Sequence, residues 1–483
     1  MRQCDLHFYR CHTLLFFWTV LMILGLCSFV SPPTATADNT SQTVTGEDGA
    51  IYSEDRTVLL SCPKEETSFT IPSTVTTIAE KAFSGCSSLE NVKMPDSVTM
   101  IGDRAFEHCE SLDGVLIPGT VSTIGKRAFW GCSSLENIEI PYSVKEIGES
   151  AFWLCLSLKS ILLPDSVKRI EKGTFSGCRS LENVNLPASI IGFGESTFND
   201  CRSLKSIEIP GSVTRIEYKM FSGCSSLENI EIPDSVTTIG GVAFEGCSSL
   251  KNVEIPDTVT VIGSAAFRGC TSLKSNEIPD SVTEIESHTF SGCSSLVSIH
   301  IPISVTKIGA SAFPDCTSLE SIEIPDSVTE IGNHAFNGCT KLTSIEIPNT
   351  VTRIGVVAFA ECTSLESIDI PDSVTEIRDH AFNGCTKLTN IEIPDSVTVI
   401  GDVTFADCTS LESVVLPDSV AKIGKHAFAG CSSLMSVYIP NSVTEIGELT
   451  FSTCPQLTIF AHRGSYAWKY AKQNRIPVRV SKN

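Results

Sequence analysis

A repeat of 23 residues limits what this chain can fold into more than any other feature of the sequence. Cysteine stands at position 86 and at every 23rd residue up to position 454, seventeen times in all. A phenylalanine lies three residues before each of these cysteines, a leucine three residues after, and a proline fourteen residues before. One such unit cannot bury its own apolar residues, whereas stacked copies share a continuous core. The repeat therefore predicts a solenoid with one rung per unit.

Within a unit, the pattern of apolar residues predicts two short extended segments and a return. Leu319–Pro325 alternates apolar and polar residues, which is typical of a strand, and the proline ends it because proline has no backbone N–H. Val328 and Ile331 predict a second extended segment that turns at the glycine found next in most units. Ala335 and the phenylalanine after it then begin a short helical or turn segment that leads back to the cysteine.

The consensus L-x-x-I-x-I-P-x-x-V-x-x-I-G-x-x-A-F-x-x-C resembles the BspA-like leucine-rich repeat family over about residues 50–462. The resemblance implies an α/β repeat solenoid, a leucine-rich repeat fold of 23-residue rungs with a parallel sheet on its concave face. It also implies a secreted or cell-surface protein that mediates protein–protein binding or adhesion. At about 4.8 Å per rung, seventeen rungs would extend the sheet over roughly 80 Å.

The two ends of the chain depart from the repeat. Arg2 and Arg10 precede the apolar segment Leu14–Val30, and Ala35–Ala37 offers a small-x-small cleavage site, so we expect a signal peptide. An uncleaved membrane anchor is the alternative, because this apolar segment is near the lower length limit for spanning a bilayer. Ser465 is the expected N-cap of a C-terminal capping helix. The predicted domains are a signal peptide (1–37), an N-terminal cap with a degenerate first rung (38–71), seventeen repeats (72–462) and a C-terminal cap helix with tail (463–483).

The seventeen repeat cysteines are expected to be free thiols buried as small apolar groups. Exported proteins often form disulfides, and neighbouring rungs are close enough for their Cα atoms to allow them. However, identical units point every Cβ the same way, so that neighbouring Cβ atoms stay near the rung spacing instead of about 3.8 Å apart. The repeat supplies no second ligand at a fixed spacing, which argues against a metal array.

The sequence offers no catalytic site, cofactor site or metal site. Gly192 and Gly194 lack the third glycine of a dinucleotide-binding turn. Four histidines share one column of the repeat two rungs apart, about 10 Å, which is too far to share a metal with bonds near 2.0 Å. These histidines, read as surface residues, are His288, His334, His380 and His426. A net charge of −21 argues against nucleic-acid binding. We therefore expect a binding protein and no enzyme, because the segments outside the repeats leave no room for a catalytic domain.

One column of the repeat, two residues before each proline, is strongly acidic and should point outward from the concave sheet. Its acidic members are Glu139, Glu208, Glu231, Glu254, Glu277, Glu323, Glu346, Asp369 and Glu392. A comparison column five residues after each proline mixes acids with bases such as Arg353 and Lys422. The acidic column predicts a docking face for a basic extracellular or surface protein, or for divalent cations. The alternative is that duplication copied a tolerated, solvated glutamate, and the near-identical segments 326–347 and 372–393 favour it.

Two further positions stand out from the repeat. Trp130 and Trp153 follow the phenylalanines of adjacent rungs, and with Tyr142 and Leu156 they could form an exposed aromatic patch for a partner or pack against the next loop. Asn276 occupies a column where every other rung carries Val, Ile or Phe, so that an amide is expected to enter the core. Membrane contact is expected only through an uncleaved N-terminal segment, and a structural surface scaffold without a specific ligand remains the alternative function.

Overall fold

Each 23-residue unit folds into one rung with three sides, and successive rungs stack in register. A computed structural model describes residues 42–481. One side of every rung, and a second side of most rungs, is a short strand. Most of these strands pair in parallel with the equivalent residues of the next rung, as in Ile138 with Ile161 and Ile124 with Ile147. The predicted solenoid of 23-residue rungs with parallel sheet is therefore confirmed.

The first ladder contains the strand that follows the repeat leucine, together with the last two strands of the chain. These strands are Ser68–Thr70, Asn91–Lys93, Gly114–Leu116, Asn137–Glu139, Ser160–Leu162, Asn183–Asn185, Asn229–Glu231, Asn252–Glu254, Ser275–Glu277, Ser298–His300, Ser413–Val415, Ser436–Tyr438, Thr458–Ala461 and Val478–Val480. The central residue of each repeat strand faces the core and its two neighbours face solvent. This alternation follows from the two-residue period of an extended chain.

The second ladder contains a two-residue strand in every rung, which ends at the buried residue that precedes the repeat glycine. These strands are Thr77–Ile78, Met100–Ile101, Thr123–Ile124, Glu146–Ile147, Arg169–Ile170, Gly192–Phe193, Arg215–Ile216, Thr238–Ile239, Val261–Ile262, Glu284–Ile285, Lys307–Ile308, Glu330–Ile331, Arg353–Ile354, Glu376–Ile377, Val399–Ile400, Lys422–Ile423 and Glu445–Ile446. Its first residue faces solvent in most rungs and its second faces the core.

The third side of each rung consists of turns. The sequence predicted either a short helical segment or a turn at this position. Two residues per rung adopt left-handed backbone conformations, as Arg104 (φ 55°) and His108 (φ 59°) do on either side of their phenylalanine. The N–H groups of both residues donate to carbonyls of the next rung, Lys126 O and Trp130 O, at 2.7 Å. The helical part of the expected α/β class is therefore missing from the rungs. Among residues 42–481, α-helix occurs only at Tyr466–Gln473.

A continuous stack of phenylalanine rings fills the core. The ring centroids of neighbouring rungs, from Phe83 to Phe451, lie 4.7 to 5.7 Å apart and their planes differ by 1 to 17°. Phe69 closes the N-terminal end of the stack and Tyr470 the C-terminal end, both edge to face. Such aromatic pairs contribute about 0.5–1.5 kcal/mol each beyond the area they bury. The stack couples every rung to its neighbours and to both ends of the solenoid.

The repeat cysteines form a hydrogen-bonded column beside the phenylalanine stack. From Cys109 to Cys454, each thiol donates to the carbonyl oxygen of the phenylalanine in the preceding rung, as Cys293 Sγ does to Phe267 O at 3.2 Å. All are free and buried except Cys454, which is partly exposed. Burial raises the pKa of thiols such as Cys293 to about 12, which keeps the donating proton in place. The burial matches the sequence prediction, whereas the hydrogen bond was not anticipated.

The two ends are capped differently. At the N-terminus, Thr43–Thr45, Ile51–Ser53 and Val58–Ser61 form an antiparallel sheet whose last strand pairs in parallel with the second ladder. The chain reverses direction only before residue 58. Residues 58–70 coil once ahead of the first repeat, because Val58–Ser61 pairs with the second ladder and Ser68–Thr70 with the first. At the C-terminus the predicted helix is present, and Ser465 Oγ accepts from Trp468 N at 3.1 Å as its N-cap.

Three interruptions of the second ladder occur where the repeat glycine is replaced by glutamate. In rungs with glycine, a Cβ would lie within 2.8 Å of atoms of the preceding rung, which is closer than real Cβ contacts. Rungs that carry Glu171, Glu217 or Glu286 instead are not strand-paired with the rung before them. At the last two of these junctions the first ladder is interrupted as well. Turn-side hydrogen bonds such as Ala265 N to Ser287 O still cross the junction before Glu286.

Candidate protein-binding surface

The acidic column predicted from the sequence lies on the outer face of the first ladder, and its members sit directly opposite one another. Glu208 is in register with Glu231, and Glu231 with Glu254. The same register joins Glu323, Glu346 and Asp369. Every acidic residue of this column is exposed. We call two runs of four the acidic strip: Glu208, Glu231, Glu254 and Glu277, followed after His300 by Glu323, Glu346, Asp369 and Glu392.

Glu139 lies apart from the acidic strip. It is in register between Leu116 and Leu162, which are 75% and 55% exposed. The structure therefore brings eight of the nine predicted acidic residues together in two runs. The ninth is part of a mixed apolar and acidic segment nearer the N-terminus.

Within the described residues, no carboxylate of the acidic strip has an ion-pair partner. The outer column of the second ladder behaves differently, because there Arg353 pairs with Glu330 at 2.9 Å and Lys422 with Glu445 at 3.0 Å across adjacent rungs. Beside the first run, Lys205 pairs with Glu182 at 3.8 Å and Lys251 with Glu228 at 2.7 Å, whereas Lys274 of the same column forms no ion pair among the described residues. Like charges about 5 Å apart repel by roughly 1 kcal/mol in water, so the strip is an uncompensated negative surface.

A recess of about 910 Å³ lies over the middle of the strip. Five successive rungs line it, from Asn252 to Glu346, and they contribute acidic groups from both runs together with His300. The recess is open and broad, unlike the enclosed apolar cavities that hold small molecules. Its shape and charge suit a projecting cationic segment of a macromolecule.

The strands of the first ladder are shortest where carboxylates follow one another. Six junctions between rungs join two acids of the strip, and a full three-residue strand pair forms only between Asn229–Glu231 and Asn252–Glu254. Glu208 with Glu231 and Glu323 with Glu346 are single bridges. By contrast, pairing is unbroken from Ser68 to Asn185 and from Ser413 to Val480.

Trp130 and Trp153 stack on each other with ring centroids 5.1 Å apart, and both are half-buried. His108 packs on Trp130 at 5.0 Å, and the Arg127 guanidinium lies 5.0 Å from the same ring. Tyr142 is 82% exposed and makes no ring contact with either tryptophan among the described residues. The aromatic cluster therefore differs in membership from the predicted patch. Sequence reasoning missed both His108 and Arg127.

No other chemistry emerges from the described part of the chain. Among residues 42–481, no group of three or more His, Cys, Asp or Glu side chains is placed to hold a metal ion. His288, His334, His380 and His426 occupy the left-handed turn position of their rungs. In the same range, no helix is both long enough and apolar enough to cross a bilayer. The predicted signal peptide lies outside the described residues.

The last repeat corrects one assignment made from the sequence. Phe460 is the third residue after Leu457, and in most of the other repeats this position is the buried centre of the first-ladder strand. The register, however, pairs Tyr438 with Phe460 and Val437 with Ile459. Ile459 is fully buried and Phe460 faces outward, because this rung is one residue shorter between its leucine and its strand. The outward column therefore continues past the acidic strip into aromatic side chains.

Comparison with known proteins agrees with this architecture. The sequence profile of the BspA type leucine rich repeat region (6 copies) matches residues 61–172, 145–274, 216–343, 260–387 and 329–458. A leucine-rich repeat protein from Bacteroides ovatus is 30% identical over 92% of this chain and 98% of its own, with a TM-score of 0.59. A leucine rich cell surface protein from Faecalibacterium prausnitzii is 25% identical over 91% of this chain and 98% of its own, with a TM-score of 0.39. No curated protein sequence matches the chain. The chain belongs to the BspA-type leucine-rich repeat family, whose members are generally surface proteins that interact with other proteins.

Proposed function

We propose that this protein is exported to the cell surface or beyond, and that it binds another protein through the acidic strip. The observation that carries the proposal is a column of eight exposed carboxylates with no ion pair among the described residues, whereas the other outward column contains cross-rung pairs such as Arg353 with Glu330 and Lys422 with Glu445. A basic surface that covered the strip would neutralise this repulsion. Adhesion to a host, matrix or neighbouring cell is the biological role that such binding would serve.

Electrostatic attraction of this kind acts mainly on the rate of association. Exposed charges are screened beyond about 10 Å at 0.1 M salt, so binding through the strip should weaken steeply as salt is added. The recess lined by Glu254, Glu277 and Glu323 would receive the most strongly cationic part of the partner.

The test compares two sets of substitutions that remove the same charge. In the first, Glu208, Glu231, Glu254 and Glu277 of the strip become glutamine. In the matched control, the second-ladder residues Glu146, Glu284, Glu376 and Glu445 become glutamine. Surface plasmon resonance against a panel of extracellular matrix and surface proteins, and against a lysine-rich peptide, should show slower association and a weaker salt dependence for the first set alone. Equal behaviour of the two sets would contradict a role for the strip.

The alternative function is a structural surface scaffold, and the continuous stack of phenylalanine rings through the repeats favours it. A scaffold predicts that the strip substitutions change neither binding nor its salt dependence. Export is tested separately by sequencing the N-terminus of the secreted chain, which should begin near Asp38. Recovery of the intact N-terminus in a membrane fraction would instead indicate an anchor.

A further inference from the structure

The C-terminal end of the first ladder carries a pattern of charged and apolar side chains that is complementary to itself. In order along the outward column, one rung apart, stand Asp369, Glu392, Val415, Tyr438, Phe460 and Arg479. The column therefore changes from acidic through apolar to basic within six rungs. At about 4.8 Å per rung the pattern extends over roughly 24 Å.

The basic end of this pattern is the C-terminal cap. Residues 462–481 contain no Asp or Glu, in a protein whose net charge is −21. Their five cations are all exposed, and none forms an ion pair among the described residues: Arg463, Lys469, Lys472, Arg475 and Arg479. Arg479 is four rungs from Glu392, roughly 19 Å, beyond the screening length of about 10 Å at 0.1 M salt. The acidic strip of the same chain therefore cannot neutralise the cap.

The centre of the pattern is an exposed apolar patch. Val415 is 66% exposed and Met435 is 49% exposed, while Tyr438 and Phe460 are half-buried. Met435 lies beside the strand of Phe460, because its carbonyl accepts from Thr458 N at 2.9 Å. An apolar centre with charged groups at its rim is the usual anatomy of a protein–protein interface.

We propose that two copies of the chain associate face to face through this surface, about a two-fold axis at Tyr438. A two-fold axis reverses the order acidic, apolar, basic in the second copy. The acidic side chains of each copy then face the basic side chains of the other, and the apolar side chains face each other. With the axis at Tyr438, Phe460 of one copy meets Val415 of the second, and Arg479 meets Glu392 of the second. The cap-helix cations then reach the second copy's Asp369. Two-fold symmetry makes every such contact twice.

This association goes beyond the proposed function and leaves most of its surface free. The first run of the acidic strip, Glu208 to Glu277, lies outside the symmetric pattern and remains open to a basic partner. A dimer would present two such runs, and paired sites raise avidity when both can be engaged. The patch spans few rungs, so we expect a weak dimer that strengthens at low salt.

Charge exchange at one contact tests the proposal. Sedimentation velocity of the purified full chain should show a monomer–dimer equilibrium that shifts toward monomer as salt is added. Glu392→Arg or Arg479→Glu alone places like charges together twice per dimer and should raise the dissociation constant at least roughly tenfold. The double exchange should restore it to within about threefold of the original. Glu254→Gln, in the first run, should leave it unchanged.

A cross-link locates the axis independently of charge. Tyr438→Cys should form a disulfide-linked dimer under mild oxidation, because an axis at this residue brings its two copies within disulfide range. Glu231→Cys is the control and should stay monomeric. Both variants are made in a Cys454→Ser chain that starts at Asp38, because Cys454 is partly exposed whereas the other described thiols are buried. A chain that remains monomeric at low salt and high concentration, or a double exchange that fails to restore association, would overturn the proposal while leaving the strip's binding of a basic partner intact.

Discussion

The column of buried thiols should make the fold unstable in mildly alkaline solution. Cys178, Cys293, Cys362 and Cys408 are fully buried, and burial raises the pKa of each to about 12. In the unfolded chain a thiol has its ordinary pKa of about 8.5. Above that pH the unfolded chain loses protons that the folded chain keeps. The contribution of these protonated thiols to the stability of the fold is therefore fully present below about pH 8.5 and is lost as the pH rises toward 12.

The magnitude follows from counting protons. One thiol that ionises only in the unfolded chain lowers the free energy of unfolding by about 1.4 kcal/mol for every pH unit. The four thiols together lower it by about 5.4 kcal/mol per pH unit, and the remaining buried thiols steepen the fall. A domain typically has about 5–15 kcal/mol of stability in all. We therefore expect unfolding within roughly one to two pH units above 8.5.

The assay is urea denaturation followed by circular dichroism in reducing buffer, at pH values from neutral to about 10, on either side of the free-thiol pKa. The matched variant is Cys293→Ser with Cys362→Ser, because a serine hydroxyl can donate to the same carbonyls, Phe267 O and Phe336 O, without titrating in this range. The free energy of unfolding of this variant should fall less steeply with pH, with a slope smaller by about 2.7 kcal/mol per pH unit than that of the original chain. A free energy of unfolding that is independent of pH, or a variant with the original slope, would refute the reasoning.

Four further substitutions test single positions by denaturation midpoint. Asn276 is 5% exposed, and neither polar atom of its side chain has a partner within the described residues; Asn276→Ile should therefore stabilise the fold by about 1–3 kcal/mol, and a lowered midpoint would mean that the amide is satisfied. Glu286→Gly should restore strand pairing with the preceding rung and stabilise by about 1–2 kcal/mol, with slower hydrogen exchange at Thr283, whereas Gly263→Glu should do the opposite. Val403 adopts a left-handed conformation (φ 59°) that strains a β-branched residue. Val403→Asn should therefore raise the free energy of unfolding by about 1 kcal/mol, which would shift the denaturation midpoint upward. An unchanged midpoint would count against strain at this position.

The features that could be predicted from the sequence are those that an unbroken register fixes. With no insertion between rungs, residues 23 apart must be neighbours, which placed Glu231 beside Glu254 and the phenylalanines in one stack. The turn side could not be predicted, because residues as different as Val242 and His334 share its left-handed backbone and leave no sequence signature. Phe460 was misplaced for a related reason, since the shortening of its rung changes neither the leucine nor the cysteine that mark the repeat.

What distinguishes one rung from another is charge, and charge also acts on the stacking itself. Stacked carboxylates about 5 Å apart repel by roughly 1 kcal/mol per neighbouring pair in water, so each run of four opposes its own strand pairing by about 3 kcal/mol. The first ladder is reduced to single bridges at Glu208 with Glu231 and at Glu323 with Glu346, although Glu231 and Glu254 lie in a full strand pair, and it is unbroken through Leu116 and through Tyr438. A cationic partner on the strip would remove the force that shortens these strands. If the strip binds a cationic partner as proposed, we expect binding and stacking to be coupled, so that the bound partner slows hydrogen exchange in the acidic rungs but not in Ser436–Tyr438.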